Sequence, residues 1–210
     1  MAATQKQHGF WYHLLDVLFN IVILVAIVMG IRTFLVSPFQ VEGNSMVDTL
    51  TDKEYIIINK LAYIVGEPTR GDVVVFRPPS DPGKYYVKRV IGLPGDEVII
   101  QDGYVFLKKA GEKEVRKLSE GEYLSHRNAG HTYRHPPSSG DTSPAVYDVP
   151  EGAYFVLGDN RQGSLDSRSF AAQDGSLVPF VKQSDIKGKV WFIALPLTKI
   201  HALEPPEYGF

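Results

Sequence analysis

The stretch FQVEGNSM at residues 39–46 is the one around which the chain is organised. Apolar and polar residues alternate over its first half, a pattern typical of a β-strand. Gly43 and Asn44 then allow a sharp turn, because both residue types tolerate backbone angles that others avoid. Ser45 lies on that turn, where a hydroxyl is presented rather than buried. Most Gly-Asn-Ser turns are only structural, so Ser45 is a candidate nucleophile only if a base lies elsewhere in the chain.

An apolar run, LLDVLFNIVILVAIVMGIRTFLV, precedes this stretch at residues 14–36. Its centre is uncharged, and about 20 apolar residues suffice for a helix to cross a hydrocarbon core of ~30 Å. A cleaved secretory signal has a shorter apolar region of about 7–15 residues, followed by a small-residue site. We therefore predict a tail at 1–13, a retained anchor in the lipid bilayer at 14–36 and a globular domain at 37–210.

Composition excludes several classes of function. The chain has 210 residues and a formal net charge of −2, which does not suit a protein that binds nucleic acid through a basic face. It has no cysteine, so a thiolate nucleophile and a zinc site with Cys ligands are both excluded. Three histidines, His126, His131 and His135, fall in no regular element, and we interpret them as solvated loop side chains. No metal and no cofactor is expected.

Short β-rich runs separated by Gly and Pro turns follow the anchor. The runs lie at 54–58, 73–76, 85–91, 98–101, 104–107, 153–157 and 188–194. Asp102-Gly103 between two of these runs is a hairpin signal. No long amphipathic helix is evident after the anchor, so we predict a mainly β domain. The stretch at about 108–150 is polar and rich in proline, and we interpret it as a variable insertion with little core of its own.

Lys88 is the best candidate for the base. It lies in the apolar strand YYVKRVI at 85–91, where alternation places Lys88 and Arg89 on opposite faces. We expect one of the two to be solvated and the other buried. Free lysine titrates near ~10.4, and complete burial lowers that pKa by up to ~3–5 units. A buried, neutral Lys88 can take the proton of Ser45; a surface lysine whose stem covers the sheet is the alternative.

Four sequence blocks in order, after an apolar anchor, resemble bacterial type I signal peptidases. The blocks are GNSM at 43–46 with Thr49-Leu50, GDVVVF at 71–76, YVKRVIGLPGD at 86–96 and GDNRQGSLDSR at 158–168. The resemblance implies a mainly antiparallel β fold with one N-terminal transmembrane helix and a small inserted subdomain. It also implies a serine endopeptidase that removes signal peptides from secreted precursors after Ala-x-Ala sites. Such an enzyme spans the cytoplasmic membrane once, with its catalytic domain outside the cytoplasm.

The resemblance also implies a role for each matching residue. Ser45 matches the nucleophile, Lys88 the general base, and Ser164 the hydroxyl that orients the lysine. The supporting residues are Gly43 and Asn44 in the turn, the turn residues Asp159 and Asn160, and the ion pair of Asp166 and Arg168. The strands that hold an extended substrate carry Phe39, Val41, Tyr86 and Val87.

Two positions depart from the family pattern. Some members carry a Ser two residues before the nucleophile, whose hydroxyl joins the oxyanion hole, whereas this chain has Gly43. The hole would then depend mainly on the main-chain N–H of Ser45. Asp48 stands where the family usually has Pro, so a carboxylate lies three residues from Ser45. Close to Lys88 it would favour the charged amine, and we expect it to point to solvent instead.

Two other functions share part of this pattern. Self-cleaving repressors also use Ser and Lys, but they carry a DNA-binding domain where this chain has an anchor. A membrane-anchored, catalytically inactive β domain could instead bind secreted chains by strand addition. Asp48 is the feature that favours this second alternative.

Overall fold

The computed structural model describes residues 9–134, 143–172 and 174–209. Most of the predicted tail, a part of the predicted insertion, and His135 therefore lie outside the described residues. His126 and His131 are exposed, as expected for loop histidines.

The N-terminal segment is one long helix with no buried side chain. Helix α1 spans Phe10–Gly30 and continues as a π-helical turn over Ile31–Leu35. It begins before the predicted start at residue 14, because the aromatic residues there do not break a helix. The whole segment is long and apolar enough to cross a membrane, with a mean hydropathy of 2.7 in its most apolar part.

The regular elements in the rest of the described chain are almost all strands. In chain order these are β1 Val36–Gln40, β2 Tyr55–Asn59, β3 Val73–Phe76, β4 Tyr86–Gly92, β5 Glu97–Gln101, β6 Tyr104–Lys108, β7 Val115–Lys117, β8 Ala145–Asp148, β9 Ala153–Leu157, β10 Val181–Lys182, β11 Ile186–Leu195 and β12 His201–Ala202. Between β2 and β3 lies one helical turn, α2, at Ala62–Val65. Two 3-10 turns lie at Gln183–Asp185 and Leu197–Lys199.

The strands form two antiparallel sheets, which confirms the predicted mainly antiparallel β fold. The larger sheet has the order β1-β2-β11-β3-β4-β9-β10, with β12 paired to β11. The smaller sheet has the order β7-β6-β5-β8. Strands β5 and β6 form the predicted hairpin, and both turn residues have positive φ, 52° at Asp102 and 84° at Gly103. That geometry matches the right-handed twist of the flanking strands.

The prediction that the segment at 108–150 has little core was wrong. It supplies β7 and β8 to the smaller sheet, and Leu118, Tyr147 and Val149 are buried against Phe155 of the larger sheet. Its apolar residues are few and form no run longer than three, so they give no strong signal in the sequence. Several of them are nevertheless buried where the segment crosses the sheet, and the segment is therefore part of the core.

Strand β4 is covered on both faces, which corrects the expectation that one of its two cations is solvated. Lys88 is 3% exposed and Arg89 is 2% exposed. Alternation does place them on opposite faces. On one side Val90 packs in a cluster with Val74 and Val156, and on the other Ile91 packs toward the smaller sheet. Both cations must therefore find partners inside the protein.

The long helix joins the larger sheet directly. Strand β1 begins at the residue after the π-helical turn. The ammonium of Lys60 donates to the main-chain carbonyls of Arg32, at 3.2 Å, and Thr33, at 3.1 Å. The main-chain N–H of Lys60 donates to the carbonyl of Leu35 at 2.9 Å. These bonds satisfy carbonyls that the end of a helix leaves unpaired, and they attach the helix to the end of β2.

Candidate active site

Ser45 lies on a short turn that two buried side chains hold against the core. The N–H of Leu50 donates to the carbonyl of Met46 at 2.7 Å, so the chain makes one helical turn here. Met46 and Leu50 are buried in a cluster with Val41, while Ser45 stays partly exposed. The turn opens at Gly43, whose φ is +85°. Burial of the apolar residues thus presents the Ser45 hydroxyl at the surface.

Asn160 donates hydrogen bonds to the two main-chain carbonyls on either side of the Ser45 N–Cα–C unit. Its main-chain N–H donates to the carbonyl of Ser45 at 3.1 Å, and its side-chain amide donates to the carbonyl of Asn44 at 3.0 Å. The N–H of Ser45 makes no hydrogen bond within the described part of the chain. It is therefore available to an oxyanion formed on a bound substrate.

Lys88 reaches Ser45 from strand β4. Its Nζ lies 2.7 Å from Ser45 Oγ and donates to the carbonyl of Val87 at 2.8 Å. Burial lowers the pKa of Lys88 to about 8, because the charged amine loses its hydration. The carboxylates of Asp166 and Asp159 oppose this shift without cancelling it. A substantial fraction of Lys88 is therefore neutral near physiological pH.

A fully buried ion pair forms the centre of the loop at 158–168. Arg168 Nε donates to Asp166 Oδ1 at 2.8 Å, and Arg168 Nη2 donates to Asp166 Oδ2 at 2.7 Å. Burial alone would raise the pKa of Asp166, but the guanidinium holds it below its ordinary value. Asp166 also accepts the N–H of Gly158 at 3.0 Å. The pair therefore fixes the loop that carries Asn160.

A second buried ion pair joins this loop to the nucleophile's turn. Arg89 Nε donates to Asp159 Oδ1 at 3.0 Å, and Arg89 Nη2 donates to Asp159 Oδ2 at 2.7 Å. The hydroxyl of Thr49 donates to Asp159 Oδ2 at 2.6 Å. Sequence reasoning assigned no role to Arg89 or Thr49. One feature of the sequence did point to a role for Arg89. It is a cation on an apolar strand, on the face opposite Lys88, and a cation on a covered face needs an anionic partner.

Ser164 is placed at the site but makes no hydrogen bond to Lys88. Its hydroxyl is buried against Gly158, next to the main-chain carbonyl of Ser45. It has no hydrogen-bond partner of standard geometry among the described residues, and it lies near enough to Asp166 to favour the ionised carboxylate. A side chain on Gly158 would occupy the space of this hydroxyl. The orienting role implied for Ser164 thus remains a prediction.

One groove of about 370 Å³ passes in front of Ser45 and Lys88. The four predicted substrate-binding residues all line it: Phe39, Val41, Tyr86 and Val87. Leu165, Ile56 and Val75 line it as well, and the sequence did not single them out. The rings of Phe39 and Tyr85 pack edge to face, 5.2 Å apart, across its two walls. The groove is apolar and has the dimensions of a site for a short extended peptide.

Asp48 is exposed, as expected, and it also contacts the inserted segment. Its Oδ2 accepts the main-chain N–H of Ser125 at 2.9 Å and the side-chain amide of Asn128 at 2.7 Å. Its φ is +100°, which a proline ring cannot adopt. The charged groups that act on Lys88 are Asp166, Asp159 and Arg168, and Asp48 is not among them.

Comparison with known proteins places the chain in a family. Residues 14–195 match the family model described as signal peptidase, peptidase S26. Signal peptidase I of Pseudomonas fluorescens is 37% identical over 193 residues, covering 80% of this chain and 67% of the relative. Signal peptidase I of Bacillus licheniformis is 37% identical over 180 residues, covering 86% and 88%. A solved signal peptidase I from Enterococcus faecalis matches with a TM-score of 0.40 and 30% identity, covering 60% of this chain and 98% of its own.

Proposed function

This chain belongs to the signal peptidase family, peptidase S26, a family of serine endopeptidases that remove signal peptides, and we propose that Ser45 and Lys88 perform the cleavage. The observation that supports this dyad best is the 2.7 Å separation of Lys88 Nζ and Ser45 Oγ, with the amine buried. A surface lysine would be almost wholly protonated at pH 7. A pKa of about 8 leaves roughly one amine in ten neutral at that pH.

The reaction proceeds by acyl transfer through Ser45. Neutral Lys88 takes the proton of Ser45 Oγ as that oxygen attacks the scissile carbonyl, and the Ser45 N–H donates to the resulting oxyanion. Lys88 then gives its proton to the leaving amine, so the peptide bond breaks and an ester remains on Ser45. A water that gives its proton to Lys88 hydrolyses the ester, which returns the hydroxyl to Ser45 and releases the signal peptide's carboxylate.

Variants of the two residues test the dyad. In purified full-length protein in detergent, we expect Ser45→Ala and Lys88→Ala each to abolish cleavage of a precursor with an Ala-x-Ala site. The double variant should be no worse than either single variant, because the residues act as one unit. Lys88→Arg should also be inactive, since a guanidinium keeps its proton at neutral pH. Substantial activity in Ser45→Ala or Lys88→Ala would remove that residue from the mechanism.

We infer that the groove selects small residues at the cleavage site. An extended peptide between residues 39–41 and 85–87 turns alternate side chains toward the protein. Val41 and Val87 line the groove where those side chains enter, so a larger residue would have to separate packed strands, at a cost of about 1–3 kcal/mol or more. Changing the last signal residue from Ala to Leu or Phe should therefore block cleavage, as measured by N-terminal sequencing of the product. Efficient cleavage after Phe would contradict this assignment.

The apolar helix supports a membrane location for the site. We propose that α1 spans the bilayer once and that the domain from residue 37 onward lies outside the cytoplasm, where secreted precursors present their cleavage sites. The helix buries no side chain in the rest of the protein, as a lipid-facing helix requires. The alternative of a catalytically inactive, peptide-binding domain depended on Asp48 favouring the charged form of Lys88. The carboxylate of Asp48 is instead hydrogen-bonded to Ser125 and Asn128.

A further inference from the structure

The nucleophile's turn contacts the inserted segment through one carboxylate. A single oxygen of Asp48 accepts two hydrogen bonds, from residues 77 and 80 positions further along the chain. A non-glycine residue with a φ of +100° is strained, and such strain persists only where the surroundings hold it. The two bonds to Ser125 and Asn128 supply that restraint, three residues after Ser45.

Asn128 extends this contact to the loop that holds the nucleophile from the other side. Its side-chain oxygen accepts the main-chain N–H of Arg161 at 3.0 Å, while its amide donates to Asp48. Arg161 follows Asn160, whose two hydrogen bonds fix the peptide unit of Ser45. The connections thus run from Ser45 through Asp48, Asn128 and Arg161 to Asn160 and back to Ser45. We call this closed path the Asp48–Asn128 ring.

The far side of the Asp48–Asn128 ring is fixed by a buried cation. Arg161 is fully buried, and its guanidinium donates to Glu120 at 2.6 Å and to the hydroxyl of Thr132 at 2.8 Å. Its Nε also donates to the carbonyl of Gly158 at 3.1 Å. Both Glu120 and Thr132 belong to the inserted segment, so the segment and the loop at 158–168 form one packed unit. Asn128 is therefore presented to Asp48 from a fixed position.

We propose that Asp48 is a positioning residue for the cleavage reaction, acting through Asn128 of the inserted segment. The inference rests on the proposed Ser45/Lys88 mechanism. Asp48 lies outside the substrate groove, so it does not bind substrate. It helps to orient the Ser45 Oγ toward Lys88. The inserted segment is then a part of the active site, although none of its residues at 108–134 and 143–150 lines the groove.

A set of substitutions at the contact tests the ring. Asp48→Ala removes the carboxylate that accepts both hydrogen bonds, and Asn128→Asp places two carboxylates at the contact. Each single variant should lower kcat by about tenfold or more while KM stays within about twofold, because a misdirected nucleophile slows the chemical step. The double variant, Asp48→Asn with Asn128→Asp, restores an amide facing a carboxylate, and position 128 still accepts the N–H of Arg161. Its kcat should therefore exceed that of both single variants.

The assay uses the full chain in detergent with an internally quenched peptide that contains an Ala-x-Ala site. Asp102→Ala is the matched control, because Asp102 is also a positive-φ carboxylate but lies in the distal hairpin turn. It should leave kcat and KM unchanged. Circular dichroism and the thermal midpoint of each variant show whether it is folded.

Several results would overturn the inference. These are a wild-type kcat in either single variant, a loss expressed in KM, a double variant no better than the better single variant, and loss of the fold in Asp48→Ala. The last would show that the carboxylate serves folding and not the reaction. The proposed function is tested separately, because activity in Ser45→Ala or Lys88→Ala would contradict it. An inactive Ser45→Ala beside a fully active Asp48→Ala would refute the positioning role alone.

Discussion

At the scale of single residues, the amine of Lys88 determines how the reaction depends on pH. Burial lowers its pKa to about 8, and only the neutral amine can accept the Ser45 proton. We therefore expect kcat/KM to rise about tenfold per pH unit below pH 8 and to level off above it. The measurement is a pH–rate profile between pH 6 and 10 with a quenched Ala-x-Ala peptide.

Lys84 provides the matched control for that profile. It also lines the groove, but it is exposed, and its ion pair with Asp81 raises its pKa. Lys84→Gln should leave the acidic limb where it is. A profile that is flat from pH 7 to 9, or a limb centred near 10, would show that Lys88 is not the titrating base.

The residues of the candidate site could be predicted from the sequence because short motifs carry them. The 2.7 Å contact of Ser45 and Lys88 joins residues 43 positions apart, and no local pattern contains that distance. The match to a family supplied the pairing. The contact of Asp48 with Asn128 was not predicted for the same reason, since Asn128 lies in a segment without periodicity. Long-range polar contacts follow from the packed fold and not from local pattern.

At the scale of elements, the nucleophile's turn depends on glycine at its first position. Gly43 has a φ of +85°, where a residue with a side chain costs about 1–2 kcal/mol. Gly43→Ser should therefore shift the turn and lower kcat by about tenfold or more, even though a hydroxyl there would have open space. The measurement is kcat with the same quenched peptide.

Gly111→Ser controls for backbone strain alone. Gly111 also has a positive φ, +76°, and open space around its Cα, but it lies between β6 and β7, away from the site. It should leave kcat unchanged. A rise in kcat in Gly43→Ser would show instead that the added hydroxyl joins the oxyanion hole without moving the turn.

Most strands with clear alternation or a continuous apolar run were predicted to within one or two residues. Strand β1 was not, because the alternation begins at Phe39 whereas the strand spans Val36–Gln40. Residues 73–76 form β3 as predicted, and the run at 98–101 became β5 with one added residue. Strand β8 was missed, because its four residues alternate between buried and exposed too briefly to stand out in a proline-rich stretch. Strand β7, with only three residues, was missed for the same reason. Short strands owe their structure to pairing with neighbours and not to their own pattern.

At the scale of the whole molecule, the sheet order was beyond prediction. Strand β11 lies between β2 and β3, although it follows both by more than a hundred residues. Sequence patterns identify strands but do not choose partners, because pairing depends on side-chain packing across the whole core. The predicted anchor and β domain needed no such information, since composition alone distinguishes them.

The proposed orientation predicts a definite pattern of protease protection. With a cytoplasmic N-terminus, protease added outside spheroplasts should digest a tag placed after Phe210 and spare a tag before Met1. Lysed spheroplasts are the control, in which both tags should be digested. The reverse pattern in intact spheroplasts would exclude the orientation.

The three hydrogen bonds of Lys60 restrain the end of the long helix against the sheet. If the helix stands in the bilayer as proposed, the groove is carried at one height above the lipid surface. A signal peptide is held in the same bilayer by its own apolar segment, so only a bond at the matching height can reach Ser45. The enzyme then selects a cleavage site by its distance from the membrane as well as by its side chains.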